Sequence, residues 1–125
     1  MLSAVVEQAL EAMIFADREG IIRIWNARAQ EVFGFSAGET MGRSLDVIIP
    51  EDLRAAHWRG FRQAIATGKT RSDGRAMATR AVHKHGGKLY VELSFEIING
   101  GSQRVLGALA TAKDITQSHL AGRSI

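Results

Sequence analysis

Lys88-Leu89-Tyr90-Val91-Glu92-Leu93-Ser94-Phe95-Glu96-Ile97 alternates polar and apolar residues without a break. Successive side chains of a pleated strand point to opposite faces, so the run predicts a strand with Leu89, Val91, Leu93, Phe95 and Ile97 on a core face and a wetter face opposite. Downstream, Asn99-Gly100-Gly101-Ser102 reads as a turn that supplies positive-φ residues, and Val105–Ala112 as a last strand of small apolar residues. Upstream, the polar segment Lys69–Gly74 reads as a loop before a strand from about Arg75 to Val82. Three antiparallel strands therefore close the chain.

The first half has a different rhythm. From Leu2 to Met13 the apolar residues Leu2, Val5, Val6, Ala9, Leu10 and Met13 recur at three- and four-residue steps, which predicts a leading amphipathic helix. Ile14-Phe15-Ala16 and Ile21–Trp25 flank the turn Asp17-Arg18-Glu19-Gly20 and form a hairpin. Asn26 can cap a short helix through Glu31, and Ser36-Ala37-Gly38-Glu39 has capping-box spacing. After Leu45–Ile49, Pro50 occupies a first helical turn with Glu51 and Asp52 complementing the dipole of a helix that runs to Thr67-Gly68. The order is helix, two strands, several helices, three strands. It predicts an α+β fold: a five-stranded antiparallel sheet with short helices packed on one face. Residues 1–12 are read as a flanking helix, 13–116 as the domain and 117–125 as a tail or linker.

Composition narrows the chemistry. A chain of 125 residues with 46% hydrophobic side chains makes one domain and can bury roughly two-thirds of its surface. Cysteine is absent, which removes thiol nucleophiles, iron–sulfur clusters, Cys-type zinc sites and thiol-dependent flavin photochemistry. No stretch approaches the ~18 apolar residues of a membrane span and no leader pattern opens the chain, so a soluble, cytoplasmic protein without a membrane partner is expected. The net charge of +3 is scattered, and no nucleic-acid partner is expected. Ser44 and Ser94 lack a His–carboxylate arrangement and no phosphate-loop spacing occurs, so an enzyme is not predicted.

Several landmarks in this order resemble a PAS domain over nearly the whole chain, from about Val5 to Thr116. They are Asp17-Arg18-Glu19-Gly20-Ile21-Ile22 with Trp25-Asn26, Phe33-Gly34-Phe35-Ser36, Gly42-Arg43-Ser44-Leu45, Ile49-Pro50-Glu51, His85-Gly86-Gly87-Lys88 before Val91-Glu92-Leu93-Ser94, and Lys113-Asp114-Ile115-Thr116. The resemblance implies a sensory or interaction module and leaves the ligand open.

On a wheel of 3.6 residues per turn, Leu53, His57, Gly60, Phe61 and Ala64 fall together, opposite Arg59, Arg62 and Gln63. An imidazole in that apolar stripe needs a backbone carbonyl or a metal. The segment Ile49-Pro50-Glu51-Asp52-Leu53-Arg54-Ala55-Ala56-His57 is similar to the one carrying the proximal histidine in haem-binding PAS domains of bacterial oxygen-sensing kinases and phosphodiesterases. That resemblance implies haem b with His57 as proximal iron ligand, its other N–H fixed by an acceptor. Leu53, Phe61, Met77, Leu93, Phe95 and Leu109 are the candidate walls, with Arg54, Arg59, Arg62 or Lys69 for the propionates. Oxygen-sensing relatives carry an arginine twenty residues beyond the histidine, where this chain has Met77, a possible distal ligand, an apolar lid or simple core. A register change would bring Arg75 or Arg80 there instead.

The implied function is detection of a diatomic gas (O2, CO or NO) or of redox state. The alternative is a PAS interaction module with a filled core or another small apolar ligand, and flavin is less favoured without a thiol. The stripe of Leu2, Val5, Val6 and Ala9 predicts a homodimer, and Gln117–Ile125 a connecting helix toward an effector domain or kinase. His83 and His85 could share a strand face and chelate a metal, but read better as turn residues, and His119 suggests nothing. Tyr90 and the two tryptophans read as packing as readily as ligand stacking.

Overall fold

The computed structural model describes residues 1–70, 75–102 and 104–123. Positions 71–74 of the loop read at Lys69–Gly74, and the last two residues of the 117–125 tail, lie outside the described residues. The elements are α1 (Leu2–Glu7), β1 (Ala12–Asp17), β2 (Ile22–Trp25), α2 (Ala27–Phe33), α3 (Ala37–Thr40), 3-10 turns at Leu45–Ile48 and Glu51–Leu53, α4 (Arg54–Thr67), β3 (Met77–Arg80), β4 (Tyr90–Asn99), β5 (Val105–Asp114) and α5 (Thr116–Arg123). One antiparallel sheet of five strands runs in the order β2-β1-β5-β4-β3. The fold is the α+β arrangement expected, with short helices against one sheet face.

Local chemistry accounts for most element ends. Asn26 caps α2 by accepting from the Ala29 N–H at 3.0 Å, and Gly34, at φ +83°, ends it. The helix runs to Phe33, past the expected Glu31, because Val32 and Phe33 bury. In α3 the Ser36 hydroxyl accepts from Glu39 N–H at 3.2 Å while the Glu39 carboxylate accepts from Ser36 N–H at 2.8 Å, the reciprocal box predicted. Pro50 leads into a 3-10 turn before α4 proper, and Gly68 closes that helix in the left-handed region.

Four expectations are corrected. The leading helix stops at Glu7 instead of Met13, because Ala12 and Ile14 pair with Ala112 and Ala110 of β5 and are almost wholly buried. Leu10 is left 83% exposed. The strand expected over 75–82 is only Met77–Arg80, since Val82 N–H turns away to the Ile48 carbonyl. The last strand extends two residues past Ala112, paired with Val91 and Glu92. Gly100 and Gly101 do not adopt positive φ: Gly100 N–H donates to the Arg104 carbonyl, so a wider loop replaces the tight turn.

Candidate functional site

Between α4 and the sheet lies a cavity of about 310 Å³. Leu53, Ala56, His57 and Phe61 project into it from the start of α4, and Leu93 and Phe95 from β4. Its volume comes from small residues on the facing strands: Ala16 of β1 and Ala108 and Ala110 of β5 leave space where larger side chains would fill it. A second cavity of about 220 Å³ shares Ala56, His57, Phe61, Met77, Phe95 and Ala108 with the first. Those side chains form the partition between the two.

Of the seven predicted cofactor-binding residues, His57 and six walls, the structure brings Leu53, His57, Phe61, Met77, Leu93 and Phe95 together around this space. Leu109 is not among them. It pairs with Phe15 and Glu96, and since its neighbours Ala108 and Ala110 line the cavity, strand alternation sends it to the opposite sheet face. Met77 is 48% exposed on the edge strand yet lines both cavities. Arg54 is held by the Ile49 and Asp46 carbonyls, while Arg59, Arg62, Lys69 and Arg75 are exposed and outside the cavity wall. Arg80 does line it, and its guanidinium pairs with Asp52 at 2.5 Å.

His57 is the one member whose polar needs are unmet. Its Nδ1 is buried without a hydrogen-bond partner, so neither the carbonyl partner nor the fixed second nitrogen expected is found among the described residues. Burial lowers its pKa, against an opposing pull from the Asp46 carboxylate, and so favours the uncharged ring. An imidazole with an unpaired nitrogen in an apolar wall has the chemistry that would hold a haem iron.

Trp58 holds that ring, a role that its sequence position did not reveal. Its Nε1 donates to Asp46 Oδ1 at 2.7 Å, and its ring meets His57 edge-on at 4.7 Å and Phe61 at 5.3 Å. The indole lies over Gly20: a Cβ there would come within 2.3 Å of Trp58 Cη2 and Cζ3. The turn Asp17–Gly20 is stiffened by Asp17 Oδ1, which accepts from Glu19 and Ile21 N–H. It is thus both a hairpin turn and the seat of the residue beside His57.

Elsewhere, the His83 and His85 rings stand 5.7 Å apart, and His83 Nδ1 accepts from His85 N–H. No group of three metal-ligating side chains occurs among the described residues. His119, which suggested nothing, stacks on Tyr90 at 4.0 Å. No helix among the described residues is long and apolar enough to cross a membrane.

Residues 1–115 match the family model described as PAS fold. The chain belongs to the PAS family. Oxygen sensor protein DosP of Escherichia coli strain K12 is 24% identical to this PAS domain over 94 residues, 75% of this chain and 12% of DosP. Sensor protein FixL of Bradyrhizobium diazoefficiens is 32% identical over 56 residues, 45% of this chain and 11% of FixL. The chain thus spans about an eighth or less of these relatives' lengths. Among solved structures, the PAS domain of a protein from Colwellia psychrerythraea has a TM-score of 0.79 at 20% identity, covering 93% of this chain and 95% of that one. An RNA-binding Light-Oxygen-Voltage receptor has a TM-score of 0.72 at 21% identity, covering 94% of this chain and 33% of that one. These likenesses establish the fold, and PAS domains are in general sensory or interaction modules, commonly dimeric and joined to effectors.

Proposed function

We propose that this PAS domain is a cytoplasmic haem-based sensor of a diatomic gas or of redox state, in which His57 would hold the iron. The observation that carries the reading is the buried, unpartnered Nδ1 of His57 in the wall of an apolar cavity. Leaving such an atom unpaired costs on the order of 1–3 kcal/mol, a cost that ligation through that nitrogen would remove. The likeness to a relative named as an oxygen sensor supports the same direction. Without cysteine the haem would be of the non-covalent b type.

Haem, when bound, supplies an iron at which O2, CO or NO binds or an electron resides. The chain supplies the rest. Leu53, Phe61, Leu93 and Phe95 exclude water, the Trp58–Asp46 hydrogen bond holds the His57 ring, and Met77 is placed to act as a second ligand or an apolar lid. A cavity of 310 Å³ lies at the lower bound of small-molecule sites, roughly 300–1,000 Å³, so a macrocycle requires the neighbouring 220 Å³ space to join it through movement of the shared Met77 and Phe61 side chains. The signal would leave through α1 and α5, and a second copy of the chain would cover the exposed Leu2 and Val5.

The separation of the two cavities favours one other reading, a PAS module holding a smaller apolar ligand and no iron. Reconstitution decides. The haem reading predicts one haem per chain retained through gel filtration, with a sharp Soret band that shifts on reduction and on CO addition. Haem lost on the column, with a small apolar compound retained instead by mass spectrometry of the purified protein, would establish the other.

A further inference from the structure

The cavity wall contains three polar side chains among the described residues, His57, Thr79 and Arg80, and no carboxylate. Arg80 also lines a shallower outer cleft of about 270 Å³, together with Pro50, His83 and Lys88, again without an acid. Arg80 and its neighbour Ala81, common to both spaces, stand between the interior cavity and the outer cleft. Arg80 lines the cavity, and its guanidinium reaches the Asp52 carboxylate. Asp52 lies in the 3-10 turn that opens onto α4, and the Arg80 and Asp52 side chains are 48% and 64% exposed.

An exposed pair of this kind is worth little, so the guanidinium can be taken from Asp52 at small cost. Nη2 is the only guanidinium nitrogen of Arg80 with a hydrogen bond to a described residue, and the planar fork keeps other donors that suit a second carboxylate. We propose that Arg80 is a carboxylate receptor at the cavity mouth, held by Asp52 when the cavity is empty, so that the site selects apolar molecules ending in a carboxylate. The inference rests on the reading of this cavity as the ligand site and names the class of molecule it admits. Haem with its propionates belongs to that class, and so does a medium-chain fatty acid.

Two ligand pairs separate these sources: protohaem against its dimethyl ester, followed by absorbance, and decanoate against decanol, followed by calorimetry. The wild-type protein favours the acid of at least one pair by about tenfold, as expected for one charge-assisted contact. Arg80→Gln reduces that preference to below about threefold while the ester or alcohol binds as before, which also serves as the folding control. Asp52→Asn tightens the acid several-fold and leaves the neutral partner unchanged. Equal binding of acid and neutral partner in the wild type, a preference that survives Arg80→Gln, or no binding of any of the four would overturn the inference. Arg80-dependent selection of decanoate without haem uptake would sustain it and remove the haem reading. Haem and its ester bound alike through His57, with decanoate and decanol also bound alike, would do the reverse.

Discussion

A buried imidazole nitrogen without a partner is a liability in a protein that has no use for it. His57 Nδ1 is in that position, and replacing the ring by an apolar one removes the unmet polar atom. His57→Leu is therefore expected to leave the ligand-free protein as stable as wild type or to stabilise it by about 1 kcal/mol in urea unfolding. A loss of more than about 2 kcal/mol would mean that the ring makes structural bonds of its own. Gly20→Ala should behave in the opposite way. Its φ of +80° disfavours any Cβ, and that Cβ would collide with the Trp58 ring, so a loss of about 2 kcal/mol or more is expected. Its signature would be a red-shifted Trp58 emission, measured in a Trp25→Phe background. The position of His57 on the inner face of α4 was legible from helical spacing alone. The Gly20–Trp58 seat was not, because it joins a turn and a helix far apart in the chain and depends on how the two pack.

At the scale of elements, one side chain does more than its local role. Asn26 caps α2, but its Oδ1 also accepts from Met13 N–H at 2.9 Å, and its Nδ2 donates to the Val6 and Glu11 carbonyls at 2.8 and 3.0 Å. It ties α1, β1 and α2 together while nearly wholly buried. Asn26→Ala strands several backbone groups at once and should cost about 3 kcal/mol, with faster amide exchange in Met13 and Ala29. Asn26→Asp keeps the cap and loses the two donors, so it should fray α1 while α2 persists.

The capping box of α3 has a pH signature. The hydrogen bond from Lys84, then that from Ser36 N–H, pulls the Glu39 pKa down to about 2. A carboxylate with a depressed native pKa contributes stability above its ordinary value of 4.5, and loses it as pH falls toward 2. Carboxyl NMR titration should find the Glu39 midpoint near 2 in wild type and clearly higher in Lys84→Ala. The box and the β4 alternation were readable because each depends on neighbours in sequence. The α1–β1 border was not, since apolar residues between Ala9 and Met13 suit a helix and a buried strand alike, and pairing with β5 decides for the strand. Leu109 was misplaced for a related reason. From Leu106 to Ala110 β5 carries only glycine and apolar residues on both faces, so only the register shows that the alanines face the cavity.

The whole molecule leaves Leu2 and Val5 of α1 77% and 59% exposed. A homodimer that covers them should dissociate in the Leu2→Ser/Val5→Ser double variant, followed by light scattering across micromolar concentrations. A wild-type protein that is monomeric over that range would remove the dimer. The α+β order was legible because five strands and their connecting helices each carry a strong local pattern. The Arg80–Asp52 pair was not, since its partners meet only after the fold has formed.

The central claim is that the His57 imidazole itself holds iron, and chemical rescue tests it most directly. His57→Gly reconstituted with haem should lose the wild-type Soret spectrum and its ferrous–CO form, and millimolar imidazole should restore both. A glycine variant whose spectrum matches wild type before any imidazole is added would contradict the account.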